Sequence, residues 1–465
     1  MITPVFDLRP LGVKPFESEQ EFLDSSSTIK NLYQYARACR TSPHAALVCT
    51  LASVCAEIPP NIVVPSFTGD SPASLNFAAI TIAQSGGGKG LAMTVAKTLV
   101  PLPDTVWVGQ TASGEAIPSV YVHYEEDETY TRNGDDKEKC ERKKPRLKYK
   151  TQNAFFDIRE VREFAGNASR VGSTIVPVLV NLLDGTSKIG CTTKSESNTL
   201  QVPEYGYRAV IVIGVQPANI RDITSHGGTG LPQRCLWTDV LDSNAPDRRP
   251  EKIAPEQWLS FDHTLFKQYA ASEMDLNSLL RSGKPETTLV MESGQYSYKL
   301  HELNYPEGVY VAVDENAKQR LKGENVSHTQ LLVLKLAGLI ALFLQEDKSN
   351  LLNVTAKNIQ QAEWLVRQSI TTLQNGLNTY VQTKNAETYK QEYEAKGDEN
   401  KEGIINNVER SIIRKLEKSN GQGETKGGLT RCLDQPVRPA LDDALADLIK
   451  AKRVRLKEKR YYLTK

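Results

Sequence analysis

Residues 80–97, ITIAQSGGGKGLAMTVAK, combine a glycine run with a lysine between an apolar stretch and an amphipathic one. A phosphate-binding loop places Gly, four residues, then Gly-Lys-Ser/Thr between a strand and a helix. Here Ala83 stands at the first glycine, Gly88 and Lys89 match, and Gly90 replaces the hydroxyl residue. Backbone amides of Ser85, Gly86, Gly87, Gly88, Lys89 and Gly90 would cradle a β-phosphate, because glycines let the backbone approach without Cβ clashes. Lys89 would bridge the β- and γ-phosphates, and the following helix would add its positive N-terminal end. Thr94 lies one helical turn, ~5.4 Å, too deep to replace the missing hydroxyl. A water would then complete the Mg²⁺ shell. The alternative is a glycine-rich turn with a surface lysine.

Later segments add groups that a nucleotide site needs. Residues 153–157 (NAFFD) read as an apolar strand ending in Asp157, placed to organise Mg²⁺. Ile158 follows where a catalytic glutamate is usual, so Glu160, or Glu115 from a neighbouring helix, would polarise the attacking water. Glu160 also reads as a solvated helix-start carboxylate. Residues 209–217 (AVIVIGVQP) end a buried strand in Gln216, whose amide would orient the water in the sensor-1 role or merely cap the strand. In GGTGLPQRCLW, Arg234 follows a glycine-rich loop. It fits an arginine finger reaching a neighbour's nucleotide, which implies a ring, or a structural ion pair.

The elements that must position these groups are legible in the periodicity. Helical spacing over 27–57 is stopped by Pro59 and Pro60. Apolar strands at 61–64, 76–82, 105–109, 153–157 and 208–215 alternate with helices, which predicts a parallel α/β sheet. Residues 125–150 are charged and read as an inserted hairpin or loop. Residues 328–345 form a strongly apolar helix and 355–379 a second. Residues 383–402 read as a linker or an exposed helix end. The last segment reads as helix–helix–helix–hairpin, a winged-helix plan. The expected division is an N-terminal helical region (1–68), an ATPase core (69–270), a helical lid (271–382), a linker (383–401) and a winged helix (402–465).

A chain of 465 residues with 39% hydrophobic and 24% charged residues has an ordinary globular composition. Its net charge of +1 demands no polyanionic partner globally. No apolar run approaches the ~20 residues of a membrane span, and no secretory signal opens the chain. Seven scattered cysteines without CxxC spacing argue against zinc and for free thiols in a reducing cytoplasm.

The ordered set SGGGKG, FFDIREV, VIGVQP and LPQRCLW, followed by KLAGLIALF and AEWLVRQS, resembles replication ATPases of actinobacterial phages, prophages and plasmids. The similarity runs from about residue 27 to 370. That family looks like a branch of the AAA+ ATPases near the MCM-like and superfamily 3 helicases. Its loop also reads Gly-Lys-Gly, and Cys235 departs from the Phe of the MCM arginine-finger motif. The resemblance implies a homo-oligomeric ring, a hexamer, with ATP and Mg²⁺ at subunit interfaces. It implies a pore hairpin at 186–205, with Lys188 at its base and Lys194 at its tip contacting DNA phosphates. The insert KEKCERKKPRLKYK is a second DNA candidate, and a solvated charge run is the bland reading of both. In the lid, Lys335 or Arg367 would be a sensor-2 base on the γ-phosphate, or else a buried, paired cation.

Residues 402–465 hold 15 Lys/Arg against 9 Asp/Glu. The recognition-helix position carries Asp442, Asp443 and Asp447, which repel phosphates. DNA contact would therefore come from the wing, through Arg453, Arg455, Lys457, Lys459 and Arg460, without much sequence choice. The expected function is an ATP-driven DNA helicase or translocase for a mobile element, with priming left to a separate primase or initiator. The alternatives are a DNA-binding ATPase that loads or remodels other proteins, and a non-hydrolysing origin-binding scaffold.

Overall fold

A computed structural model describes residues 5–67, 69, 71–84, 86–110, 114–125, 146–161, 175–190, 200–225, 230–269, 299–322, 329–396 and 398–464. The chain divides into two compact units, 1–376 and 377–465.

The first unit is built on five strands: β1 (Phe77–Ile82), β2 (Val106–Gly109), β3 (Asn153–Ile158), β4 (Arg208–Val215) and β5 (Cys235–Asp239). They form one all-parallel sheet in the order β2-β3-β4-β1-β5. The central strands are apolar on both faces, as a covered parallel sheet requires: all of FAAITI and all of RAVIVIGV is buried. Helix α1 (Ser27–Ala38) and α2 (Pro43–Glu57) precede the sheet in sequence. Ser42 caps α2 by accepting from the Ala45 amide, and Pro43 occupies its first turn. α2 lies across β1, β4 and β5 and packs on α3 (Lys89–Leu99).

Helix α4 (Ile175–Asp184) precedes β4. Further on come α5 (Glu307–Leu321), α6 (Thr329–Leu344) and α7 (Ala356–Glu394). Of the boundaries drawn from sequence at residues 68, 270 and 382, only the last has a counterpart, at 376/377. Buried residues from Phe6 to Val366 form one cluster that includes α1, α2, the sheet, α6 and α7. The reason is α6 itself. It is apolar all round, so every face must be covered, and residues 332–344 are all buried, Lys335 among them. The stretch 383–394, read as a linker or an exposed helix end, is the largely exposed end of α7. Its residues 377–394 belong to the second unit. A short antiparallel hairpin, Val122–Glu125 with Arg146–Tyr149, brackets the charged insert, whose residues 126–145 lie outside the described set.

The second unit holds α8 (Asp398–Lys418), α9 (Lys426–Arg431), α10 (Leu441–Lys450) and strands β6 (Glu424–Thr425), β7 (Val454–Lys457) and β8 (Arg460–Leu463). The strands pair antiparallel in the order β6-β8-β7. Val408, Ile412 and Leu416 of α8 meet Leu441, Leu445 and Leu448 of α10 and Val454 of β7 in a separate core.

Among the described residues, no helix is long and apolar enough to cross a membrane.

Candidate functional site

The sheet order fixes where a ligand would sit. From β1 the chain runs past β4 and β3 to reach β2. From β4 it runs the other way, past β1, to reach β5. Right-handed crossovers place those two connections on opposite faces. The carboxyl ends of β1 and β4 therefore flank a crevice, the usual ligand position in an open α/β sheet.

The glycine loop opens into that crevice. Ala83 N still bonds Val215 O (3.0 Å), so β1 holds its pairing to the last residue before the loop. Gly86 and Gly88 are left-handed, φ 74° and 86°, a conformation glycine adopts without strain. A side chain on Gly87 would crowd the Gln84 carbonyl and the Ala83 methyl. Lys89 is the first residue of α3, with Gly88 as its N-cap. Gly90 has open space where a Cβ would stand. Thr94 is not held in reserve for a cation: its hydroxyl donates to Gly90 O (2.9 Å). Ser85 lies outside the described residues.

Three of the residues singled out in the sequence meet here. Lys89 Nζ donates to Glu160 Oε1 (2.8 Å), and Gln216 Nε2 reaches Glu160 Oε2 at 3.5 Å. The Lys89 side chain is 15% exposed and Glu160 43%. Glu160, the more exposed partner, is the one that a phosphate chain entering the loop would have to displace from the ammonium. Gly214 makes the approach possible. A Cβ there would collide with Arg159 O and press on the Lys89 stem. The signal for it was present in the sequence, since a glycine inside an apolar strand marks a close approach.

Asp157 sits elsewhere, which corrects its expected place beside the loop. It is level with Val212, and Val212 with Ala79, three residues before the end of β1. At ~3.3 Å per residue that is about 10 Å below the loop. Its carboxylate meets Lys97 Nζ (3.4 Å), and Gln110 Nε2 donates to its carbonyl (2.7 Å). Glu160, not Asp157, is the acid at the lysine. Glu115 lies in a short turn, Gly114–Ala116, and its side chain is outside the described set.

The two lid cations are not at the loop either. Lys335 Nζ donates to Leu183 O (2.9 Å) and Asn76 O (3.4 Å). Asn76 precedes β1, so the whole strand, roughly 20 Å, separates Lys335 from the glycines. Burial lowers its pKa to about 8, with Asp184 acting the other way. Arg367 donates to Phe16 O (2.8 Å) and Glu363 Oε2 (3.0 Å) and lies over the Trp364 ring. Glu363 is fully buried. Stripping a buried carboxylate of its partner costs about 3–5 kcal/mol, so Arg367 is committed to this contact.

Arg234 stands at the opposite end of the sheet from the loop, at the start of β5. Its Nε and Nη2 grip the two carboxylate oxygens of Asp184 (2.7 and 3.2 Å), and Nη1 donates to Gly230 O (3.1 Å). The pair is open, 38% and 32% exposed. Sequence reasoning missed Asp184, which reads there only as the last residue of a helix before glycine.

Comparison with protein-family models and with curated proteins finds no match for this chain.

Of the expected DNA contacts, Lys188 is exposed beside Ile189, which bridges Val202 and so closes the base of the 186–205 segment. Lys194 lies outside the described residues. In the second unit, Arg453, Arg455, Lys457, Lys459 and Arg460 are all exposed. Arg455 faces Tyr462 across the hairpin and Lys457 faces Arg460. Like charges directly opposite are destabilising, so this face suits an anionic partner. The turn residues Glu458 and Lys459 are left-handed (φ 49° and 62°). Asp442 pairs with Lys426 and Asp443 accepts from Tyr393 OH (2.8 Å), which ties down two of the three carboxylates expected to repel phosphate.

Among the described residues, no group of three or more His, Cys, Asp or Glu side chains gathers as a metal site. Glycines in left-handed conformations, a lysine at the start of α3 and a nearby carboxylate are a chemically apt set for a triphosphate carrying Mg²⁺, an ion that keeps its waters and takes one or two carboxylates.

Proposed function

We propose that this chain is an ATP hydrolase of the MCM-like AAA+ type, working as a ring that moves DNA during replication of a phage, prophage or plasmid. The observation that carries the reading is the convergence of Lys89, Glu160 and Gln216 at the β1–β4 crevice, with Arg234 at the far end of the same sheet. An arginine so placed cannot reach its own loop, but it suits a neighbour's.

Bound ATP would supply the phosphoryl group, and Mg²⁺ would neutralise its charge. The loop amides and Lys89 bind the phosphates. Glu160, released from Lys89, accepts a proton from the attacking water, and Gln216 orients that water. Arg234 of the adjacent subunit stabilises charge developing on the transferred group. Asp157, paired to Lys97 below the loop, supports the strand end from which Glu160 projects.

The second unit, with three helices and a basic hairpin, supports a winged-helix reading. It would hold DNA through Arg453, Arg455, Lys457, Lys459 and Arg460, mostly by phosphate contacts. Lys188 would add a contact near the 186–205 segment.

The test is DNA-stimulated ATP hydrolysis by the wild type, Lys89→Ala and Arg234→Ala. Loss of turnover in both variants supports the reading. Full activity of Arg234→Ala ends the shared-site model, and no hydrolysis by the wild type favours a scaffold. A forked-substrate strand-displacement assay then separates unwinding from protein loading or remodelling.

A further inference from the structure

Arg234 is held by a chain of contacts that the proposed chemistry has not used. Asp184 is the last residue of α4, and the carbonyls just before it are capped by side chains from elsewhere. Asn76 Nδ2 donates to Leu182 O (2.6 Å) and Lys335 Nζ to Leu183 O (2.9 Å). Cationic and amide donors at a helix C-terminus satisfy carbonyls that the helix leaves open. Gly185 follows in the left-handed conformation (φ 68°), so close to Ser74 that a side chain would not fit. Tyr205 N donates to Gly185 O (3.0 Å). Ser74 and Asn76 are themselves fixed by the fully buried Arg208, which donates to Ser74 Oγ (3.1 Å) and Asn76 Oδ1 (3.3 Å). The backbone at Asp184 is therefore rigid, and its carboxylate is presented at a defined place.

That carboxylate takes one edge of the Arg234 guanidinium, through Nε and Nη2, while Gly230 O takes one N–H of Nη1. Among the described residues, three of the five N–H donors find acceptors. Within that set, one N–H on Nη1 and one on Nη2 are left for a phosphate, on a fork held at two points yet open to solvent.

We propose that Asp184 is the positioning residue of the Arg234 finger, and that Lys335 holds Asp184 in place by capping α4. This rests on the reading of Arg234 as a group acting on a neighbour's nucleotide. Lys335 thereby acquires a role at the subunit edge instead of on its own subunit's γ-phosphate.

The test measures kcat and KM for ATP, with DNA present, on the full chain. Arg234→Ala should lower kcat by about 10³ or more. Asp184→Ala should lower kcat about 10- to 100-fold with KM within twofold, because a misplaced catalytic group costs about that much. Asp184→Asn, which keeps one acceptor for Nε, should recover part of the loss. Asp184→Ala/Arg234→Ala should be no slower than Arg234→Ala alone, and Lys335→Met should show a smaller kcat loss of the same kind. If Asp184→Ala does not fold, Asp184→Asn is compared with wild type and with its own double variant in its place. Unchanged kcat in the Asp184 variants beside an inactive Arg234→Ala overturns the positioning role and leaves the finger standing. Losses that multiply in the double variant make Asp184 merely structural and also overturn it. Full activity of Arg234→Ala removes the finger itself.

Discussion

The two ends of the parallel sheet solve opposite problems. At the carboxyl end, a largely buried Lys89 pairs with a more exposed Glu160 beside a loop of glycines. At the amino end, Arg208 is fully buried and donates to Ile58 O, Pro59 O and Ile62 O as well as to Ser74 and Asn76. One end pairs its lysine with a single, partly exposed carboxylate. The other spends its cations on carbonyls and fixes the backbone. Arg234 shares both characters, being gripped by Asp184 yet still open to solvent.

The sharpest way to break the comparison is at the open end. Lys89→Ala should cut ATP turnover by at least about 100-fold while leaving the thermal midpoint nearly unchanged, read by a coupled ATPase assay and circular dichroism. A large loss of stability would show that Lys89 is structural. Next, Glu160→Gln should lower kcat by about 10²–10⁴ without weakening nucleotide binding, because the change also removes a competitor for Lys89. Fluorescent-nucleotide titration beside turnover checks this, and weaker binding would count against Glu160 as the base.

The buried pair should behave in reverse. Arg367→Met strands Glu363 and should cost about 3–5 kcal/mol of stability, seen as a lower denaturant midpoint, with activity per folded molecule retained. A selective loss of kcat would return Arg367 to the nucleotide site.

The smallest effect concerns Glu57, whose side chain is buried at the end of α2 and whose pKa burial pushes up to about 7. A folded pKa above the unfolded one, 4.5, means the folded state binds the extra proton. Its stabilising share is complete below pH 4.5 and is lost as pH rises toward and through 7. Glu57→Gln should flatten that part of the stability profile, measured by urea midpoints between pH 4.5 and 7.5. An unchanged slope would show that Glu57 is not its source.

Much of the site was legible because it rests on local pattern. Gly88-Lys89 after an apolar run, Gln216 ending a buried strand and Arg234 after a glycine loop are each carried by a few adjacent residues. Asp157 was misplaced because the depth of a residue along a strand depends on register with its neighbours, which a single strand does not encode. Lys335 and Arg367 were left in the sequence as either sensor-2 bases or buried, paired cations, and the structure pairs both of them. Whether a buried lysine meets a phosphate or a carbonyl depends on elements 152 and 259 residues away in sequence.

The amino-acid sequence by itself determined the α/β class, the glycine loop, its lysine and the basic hairpin, since periodicity, glycine and charge act over short range. Only the tertiary structure decided that Glu160 rather than Asp157 meets Lys89, that Asp184 grips Arg234, and that residues from the N-terminal helices through α6 share one core. Those outcomes follow from strand order, register and the need to cover every apolar face, which are settled only when distant segments pack together.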